Sequence, residues 1–121
     1  MNMPDFMWQL KNDAQMTTVT LGDEKTYKCL YLIHRNWYNF TKRERSRITT
    51  WACEMHSLVT EVIQSNLSNK TKFDFLETIQ KNFVLKLDSK SFLKIPPDYI
   101  TRLKNYATGY CRERKQQFIN K

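Results

Sequence analysis

The sequence predicts an all-α protein, a compact bundle of four to five helices in one domain spanning residues 1–121. The chain has only two glycines and three prolines, too few turn-forming residues for a β-barrel or a β-sandwich. Hydrophobic residues make up 40% of the chain and aromatic residues 13%, a composition too apolar for a disordered protein. Apolar residues also recur at three- and four-residue steps through long stretches, which is typical of amphipathic helices.

The first part of the chain carries weaker signals. Pro4 can occupy the first turn of a short helix that runs to about Asp13. Residues 17–21 alternate polar and apolar side chains and are expected to be extended. A second helix is predicted over about 24–38, although the alternation of apolar residues over 27–33 would instead make this segment a strand. We prefer a helix because only one other segment could pair with such a strand.

The strongest signal predicts a long central amphipathic helix over about residues 42–66. Thr41 and Glu44 have the spacing of a capping box, in which the threonine oxygen accepts a hydrogen bond from a backbone amide and the glutamate bonds back to the capping residue. The apolar residues that follow at helical spacing are Ile48, Trp51, Ala52, Met55, Leu58, Val59, Val62 and Ile63. They fall on one stripe, so this helix is expected to be central to the core.

Two further helices are predicted in the second half of the chain. The polar segment 68–70 is expected to be a connector, and Thr71 is expected to cap a helix that ends near Leu87. Its apolar residues are Phe75, Leu76, Ile79 and Phe83. A loop or single turn follows over 88–94, and the two prolines at 96–97 then prevent any earlier helix from continuing.

The last predicted helix is long and covers about residues 97–120. Its apolar stripe consists of Ile100, Leu103, Tyr106, Ala107, Tyr110 and Phe118. No linker or low-complexity segment divides the chain, which is the reason for expecting one domain.

The net charge of +8 is unevenly distributed along the chain. Residues 1–60 carry eight Lys and Arg against six Asp and Glu, whereas residues 61–121 carry twelve against six. A basic excess of this size favours nucleic acid or an acidic protein surface as the partner. The ordinary alternative is a lysine-rich chain that is basic without binding an anion.

Cysteine usage and hydropathy indicate the compartment. Cys29, Cys53 and Cys111 form an odd set without framework spacing, and we expect them to be reduced thiols. No signal peptide is evident, and no apolar stretch approaches the roughly 18–20 residues that a membrane span needs. A cytoplasmic or nuclear protein that is not secreted is therefore expected, with no membrane as partner.

The main candidate for an anion-binding site is a basic cluster in the first turns of the central helix. Its members are Lys42, Arg43, Arg45 and Arg47. The positive end of the helix dipole disfavours cations there, which suggests that they have an external use. The positive end of the helix, its free backbone amides and these cations would together suit a phosphate group. The alternative is a solvated face partly neutralised by Glu44 and Glu54.

A second basic cluster lies on one polar face of the last helix and is assigned a supporting role. It consists of Lys104, Arg112 and Lys115. Cations near a helix C-terminus are favoured by the dipole, so an ordinary structural role would explain them equally well. Arg114 falls within the apolar stripe instead, where it is expected to extend past the core, pair with a carboxylate or reach a partner.

Three aromatic residues precede the first basic cluster and are candidates for stacking on bases: Trp37, Tyr38 and Phe40. Their alternative role is in the core. An Asn-aromatic-x5-Arg-Glu-Arg pattern covers Asn36–Arg45 and recurs at Asn105–Arg114. The second copy lies within one continuous predicted helix and the first spans a helix break, so the two copies are not expected to be equivalent.

Neither a metal site nor an enzyme is predicted. Cys53 and His56, with Cys29 and His34 upstream, could supply four ligands, but their spacing matches no zinc pattern. Neither glycine belongs to a phosphate-binding loop, and the two histidines show no acid–base pairing with a carboxylate. We therefore expect no cofactor and no catalytic residue.

The expected function is that of a small basic helical accessory protein that binds the phosphate backbone of RNA or DNA without sequence specificity. No family motif is present, but in size, class and charge the chain resembles the small subunits of RNA-guided CRISPR surveillance complexes. It is similar in the same terms to accessory or inhibitory proteins encoded by phages. The alternative is a protein–protein adaptor, or a phage- or virus-encoded inhibitor, that docks on an acidic surface of a nucleoprotein machine. Self-association through exposed aromatics is a third alternative.

Overall fold

The computed structural model describes Ile33 and residues 36–119 and is mostly helical. Its elements are the 3-10 turn Trp37–Asn39, helix α1 (Lys42–Gln64), helix α2 (Asn69–Lys86), the 3-10 turn Lys90–Phe92 and helix α3 (Pro97–Gln116). The described residues contain no strand. The all-α class predicted from the sequence is therefore confirmed for this part of the chain.

Three α-helices in the described residues are slightly fewer than the four to five predicted. The helix predicted to reach Asp13 and the extended segment 17–21 lie outside the described residues, as does most of the helix predicted over 24–38. At the end of that last segment, Trp37–Asn39 forms a 3-10 turn rather than α-helix.

Helix α1 begins at the predicted capping box. The backbone N–H of Thr41 donates to Glu44 Oε1 at 2.7 Å, and the N–H of Glu44 donates to Thr41 Oγ1 at 3.1 Å. The helix ends at Gln64, two residues before the predicted boundary of 66. Leu58 departs from the predicted apolar stripe, because 42% of its surface is exposed.

Helix α2 begins earlier than predicted. Ser68 caps it, with Ser68 Oγ accepting a hydrogen bond from the backbone N–H of Thr71 at 3.2 Å. Thr71 is therefore a first-turn residue, and most of the connector predicted at 68–70 is helical. Phe75, predicted to be apolar core, is 47% exposed. Helix α3 ends at Gln116 rather than near 120.

The α2 helix runs antiparallel to α1 and α3, which are parallel to each other. Trp51 of α1 donates its indole N–H to the Phe83 carbonyl of α2 at 2.8 Å, and its ring packs at 6.4 Å from that of Tyr106 in α3. Farther along, Lys72 near the start of α2 donates to the Ile63 carbonyl near the end of α1 at 2.9 Å. The starts of α1 and α3 therefore lie beside the end of α2.

One apolar core cluster joins the helices and both turns. Its buried members are Ile33, Trp37, Phe40, Ile48, Trp51, Ala52, Met55, Val59, Leu76, Ile79, Phe83, Leu87, Phe92, Ile95, Leu103, Tyr106, Ala107, Tyr110 and Cys111. Among the described residues, none of the buried ones is charged. Within the same part of the chain, no helix combines the length and apolar composition needed to cross a membrane.

Candidate nucleic-acid interface

The predicted basic cluster occupies the first turns of α1. Lys42 and Arg43 are exposed in the first turn. The neighbouring carboxylate of Glu44 accepts the backbone N–H of Thr41, so its position is fixed by the helix cap. Among the described residues, no carboxylate comes within ion-pair distance of any of the cluster's four cations. The cluster therefore keeps a net positive charge at the positive end of the helix dipole.

Arg45 is held in place by neutral groups. Its Nη1 donates to the Phe40 carbonyl oxygen at 3.0 Å, and its guanidinium carbon lies 5.5 Å from the centre of the Tyr38 ring. A carbonyl dipole and an aromatic face orient a guanidinium without cancelling its charge. Arg45 is thus positioned while its charge and other N–H donors remain.

Arg47 joins α1 to the segment between α2 and α3. Its Nη1 donates to the carbonyl oxygen of Ser91 at 3.0 Å, 44 residues away in sequence. This bond brings Lys90 and Lys94, both exposed, to the same end of the bundle as the cluster. We call these six cations together the basic end: Lys42, Arg43, Arg45, Arg47, Lys90 and Lys94.

Two of the three residues predicted to stack on bases are core residues. Trp37 is 4% exposed and Phe40 is 6% exposed, and their rings pack edge-to-face at 6.2 Å. Neither ring face is available to a base, because both rings lie inside the apolar cluster. The stacking role predicted for them is wrong. Tyr38 is 43% exposed beside Arg45 and remains accessible.

The three cations of the second predicted cluster do not lie together with the first as one group. Lys104 Nζ lies 2.7 Å from Asp88 Oδ1, and Lys115 Nζ lies 3.8 Å from Glu77 Oε1, so both are paired within the bundle. Arg112 is exposed, but it lies near the end of α3, whose 20 residues span about 30 Å. Arg112 and Lys115 are consequently at the opposite end of the bundle from the start of α1.

The two copies of the repeated pattern differ in the structure. Trp37 belongs to a 3-10 turn before α1, whereas Tyr106 lies within α3. Arg114, which the sequence placed in the apolar stripe, has its guanidinium carbon 3.5 Å from the centre of the Tyr110 ring. Its Nη1 also lies 3.5 Å from Glu113 Oε2. Arg114 therefore packs within the bundle and does not form part of the basic end.

Sequence reasoning missed an aromatic stack that surrounds His56. Its imidazole stacks on the Tyr110 ring with centroids 4.5 Å apart, and Nε2 hydrogen-bonds with the hydroxyl of Tyr106. Burial, and then the charge of Arg114, lowers the pKa of His56 from 6.5 to about 4. The histidine is thus neutral at physiological pH and contributes no charge to binding. The position of His56 in the sequence of α1 could not have revealed that its partners lie on α3.

The cysteines and histidines do not gather into a metal site in the part of the chain that is described. No group of three or more His, Cys, Asp or Glu side chains there could hold a metal ion. Cys53 is exposed and Cys111 is buried, and burial raises the pKa of Cys111 to about 11. Cys29 and His34 lie outside the described residues.

Comparison with protein-family models, curated proteins and solved structures finds no match to this chain. The candidate interface is therefore defined by its geometry. Sequence reasoning found four of the six cations of the basic end and missed Lys90 and Lys94. The sequence signal for the missed pair is weak, because two lysines in an exposed turn are an ordinary feature of protein surfaces.

Proposed function

We propose that this protein binds the phosphate backbone of nucleic acid through its basic end, without reading base sequence. The observation that carries this proposal is the gathering of six cations from two segments. Among the described residues, no carboxylate lies within ion-pair distance of these six. Phosphates repeat along a strand, and Lys and Arg that neutralise them release condensed counterions, which drives binding. Contacts of this kind position a protein on nucleic acid but carry no sequence information.

The arginines of the basic end supply a further reason. Arg45 and Arg47 each donate one N–H to a backbone carbonyl, which orients the guanidinium before any ligand arrives. A pre-oriented side chain loses less conformational freedom on binding. A guanidinium has five N–H donors, so each arginine retains donors for phosphate oxygens.

The side chains, rather than the helix amides, would make most of the phosphate contacts. Thr41 already accepts the N–H of Glu44, so the α1 start has one fewer amide to offer an anion. The supporting role predicted for Lys104 and Lys115 is not part of the proposal, since both pair with carboxylates. We propose that the protein acts as a non-enzymatic accessory subunit of a cytoplasmic or nuclear nucleoprotein complex.

A second candidate function is docking on an acidic protein surface, as an adaptor or an inhibitor. The observation that favours it is apolar and aromatic exposure beside the cations. Tyr38 is 43% exposed, and Leu93, between Lys90 and Lys94, is 78% exposed. Apolar anchors surrounded by polar residues are common at protein interfaces.

The test is a titration of labelled single-stranded and duplex oligonucleotides by fluorescence anisotropy at several salt concentrations. We expect the affinity to fall steeply with salt, and the slope of log K against log salt to decrease by about 2 in a Lys42→Gln/Arg43→Gln variant. Both residues are exposed, so the fold should tolerate the change. Lys70→Gln/Lys81→Gln is the matched control, because it removes the same charge from exposed positions of α2.

Two results would contradict the proposal. Affinity that is indifferent to salt would exclude a phosphate-backbone mode of binding. An equal loss of affinity in the control variant would show that binding follows net charge and not the basic end. If oligonucleotides do not bind at all while the protein captures a partner from host extract in a manner that depends on Lys42 and Arg43, the second candidate function replaces the first.

A further inference from the structure

One arginine outside the basic end has an uncompensated charge in the part of the chain that the structure describes. Arg102 lies in the second turn of α3 and is partly exposed. Its Nε is buried without a hydrogen-bond acceptor, and among the described residues no carboxylate lies within ion-pair distance of its guanidinium. An arginine is charged at any physiological pH, so it cannot escape this situation by losing a proton.

The helix face that carries Arg102 is turned toward α1 and the segment before it. Tyr99, three residues earlier, packs its ring edge-to-face on that of Phe40 with centroids 5.0 Å apart. Tyr106, four residues later, packs its ring on that of Trp51 in α1 at 6.4 Å. Residues at these spacings share one face of a helix, so Arg102 lies on the side of α3 that faces α1.

Phe40 connects this face of α3 to the basic end. Its ring contacts that of Tyr99, and its backbone carbonyl accepts the hydrogen bond from Arg45 at 3.0 Å. The starts of α1 and α3 also lie at the same end of the bundle, because both are beside the end of α2. Arg102 is therefore at the same end of the molecule as the basic end, on a third segment of the chain.

The surroundings of Arg102 give no structural reason for an arginine at this position. A buried donor without an acceptor costs free energy, and a charge partly withdrawn from water without a counter-charge adds to that cost. Of the three guanidinium nitrogens only Nε is buried without an acceptor, so the two terminal nitrogens reach the surface. A residue that breaks a local preference in this way while presenting charged donors outward suits an external anion.

We propose, building on the nucleic-acid-binding function above, that Arg102 is a further phosphate-contacting residue and extends the binding surface from the basic end onto α3. The nucleic acid then crosses three segments: the turn with Lys90 and Lys94, the start of α1 and the first turns of α3. A planar guanidinium binds two oxygens of one phosphate through two of its nitrogens. The phosphate supplies the counter-charge that the described residues do not.

The experiment measures Arg102→Met in the full chain, by oligonucleotide anisotropy at several salt concentrations and by urea denaturation. Methionine keeps an unbranched apolar stem and removes the charge together with the unpaired donor. We expect this variant to weaken binding about tenfold and to reduce the slope of log K against log salt by about 1. Its midpoint of urea denaturation should equal or exceed that of the wild type, because a buried unpaired donor is removed.

Two further variants sharpen the comparison. Arg112→Met is the matched control, because it removes the same group from an exposed position near the other end of α3. We expect it to bind with wild-type affinity and salt slope. Arg102→Lys keeps the charge but offers one nitrogen in place of a planar fork. It should retain the salt slope and lose less affinity than Arg102→Met.

The outcomes separate this inference from the proposed function. If Lys42→Gln/Arg43→Gln reduces the salt slope and Arg102→Met does not, Arg102 makes no phosphate contact, and backbone binding through the basic end stands. A lower urea midpoint in Arg102→Met would show that the residue stabilises the fold and would overturn the inference.

Three other results would also decide against it. Equal losses of affinity in Arg102→Met and Arg112→Met would show that binding follows net charge. Tighter binding to poly-glutamate than to oligonucleotides, dependent on Arg102, would favour an acidic protein surface as the ligand. Failure of the wild type to bind any oligonucleotide would reject this inference and the proposed function together.

Discussion

The imidazole of His56 lies against the ring of Tyr110, and the guanidinium of Arg114 lies against the same ring, 3.5 Å from its centre. Protonating His56 would place a second cation against this tyrosine in a buried setting. Burial is the larger cause of the lowered pKa of His56, and the charge of Arg114 is the smaller one. The folded structure therefore favours the neutral form of the histidine.

The lowered pKa of His56 predicts that the free energy of unfolding depends on pH. The unfolded chain binds a proton at His56 near pH 6.5, whereas the folded chain does so only near pH 4. Between these values the unfolded state holds more protons, so the stabilisation is fully present above pH 6.5 and is lost as the pH falls toward 4. We expect the free energy of unfolding to be lower at pH 5 than at pH 8 by about 2 kcal/mol from this group alone.

Urea denaturation at a series of pH values measures the effect. His56→Phe keeps an aromatic ring for stacking and cannot titrate, so the difference between wild type and variant should isolate the histidine. A direct check is the NMR titration of the His56 imidazole. A midpoint near the ordinary value of 6.5 would show that the ring is solvated and that the buried stack does not form.

At the scale of the element, the start of α1 depends on its capping box. Thr41 and Glu44 satisfy each other's backbone N–H groups. Thr41→Ala should lower the free energy of unfolding by about 1 kcal/mol, because it leaves the N–H of Glu44 without its acceptor. Thr50→Ala, at an exposed position inside the same helix, is the control and should be neutral or slightly stabilising, since alanine favours helix. Urea denaturation compares the two, and equal losses would contradict a specific capping role.

Helix boundaries also show where local sequence is ambiguous. Ser68 and Thr71 are both hydroxyl residues able to cap a helix, and their side chains hydrogen-bond to each other at 2.8 Å. The sequence prediction placed the cap at Thr71, whereas the structure assigns it to Ser68. The capping box of α1 was predictable because Thr41 and Glu44 supply two matching signals at a fixed spacing.

At the scale of the whole molecule, Arg112 and Lys115 are separated along the bundle from the cations at the start of α1. Lys104 and Lys115 form ion pairs with Asp88 and Glu77. A Lys104→Gln/Lys115→Gln variant should therefore change oligonucleotide affinity by less than about twofold, while the free energy of unfolding falls by at most about 1 kcal/mol, as for partly exposed ion pairs. Anisotropy and urea denaturation measure the two effects. If the Lys104→Gln/Lys115→Gln variant lost as much affinity as Lys42→Gln/Arg43→Gln, binding would not be localised at the basic end.

The sequence by itself determined the helical class and most of α1 and α3, because periodic apolar residues and cap signals act over a few turns of chain. It also identified the cations at the start of α1. Only the tertiary structure decided which neighbours in a short segment are buried, placing Trp37 and Phe40 in the core and leaving Tyr38 exposed. Packing of this kind depends on residues that are distant in sequence.

The composition of the basic end was decided in the same way. The bond from Arg47 to the Ser91 carbonyl spans 44 residues and brings the segment of Lys90, Leu93 and Lys94 to the basic cluster that the sequence places at the start of α1. Because α2 runs antiparallel to α1, the end of α2 lies beside the start of α1. No local pattern contains this information, because it arises from how three helices cover one another's apolar faces.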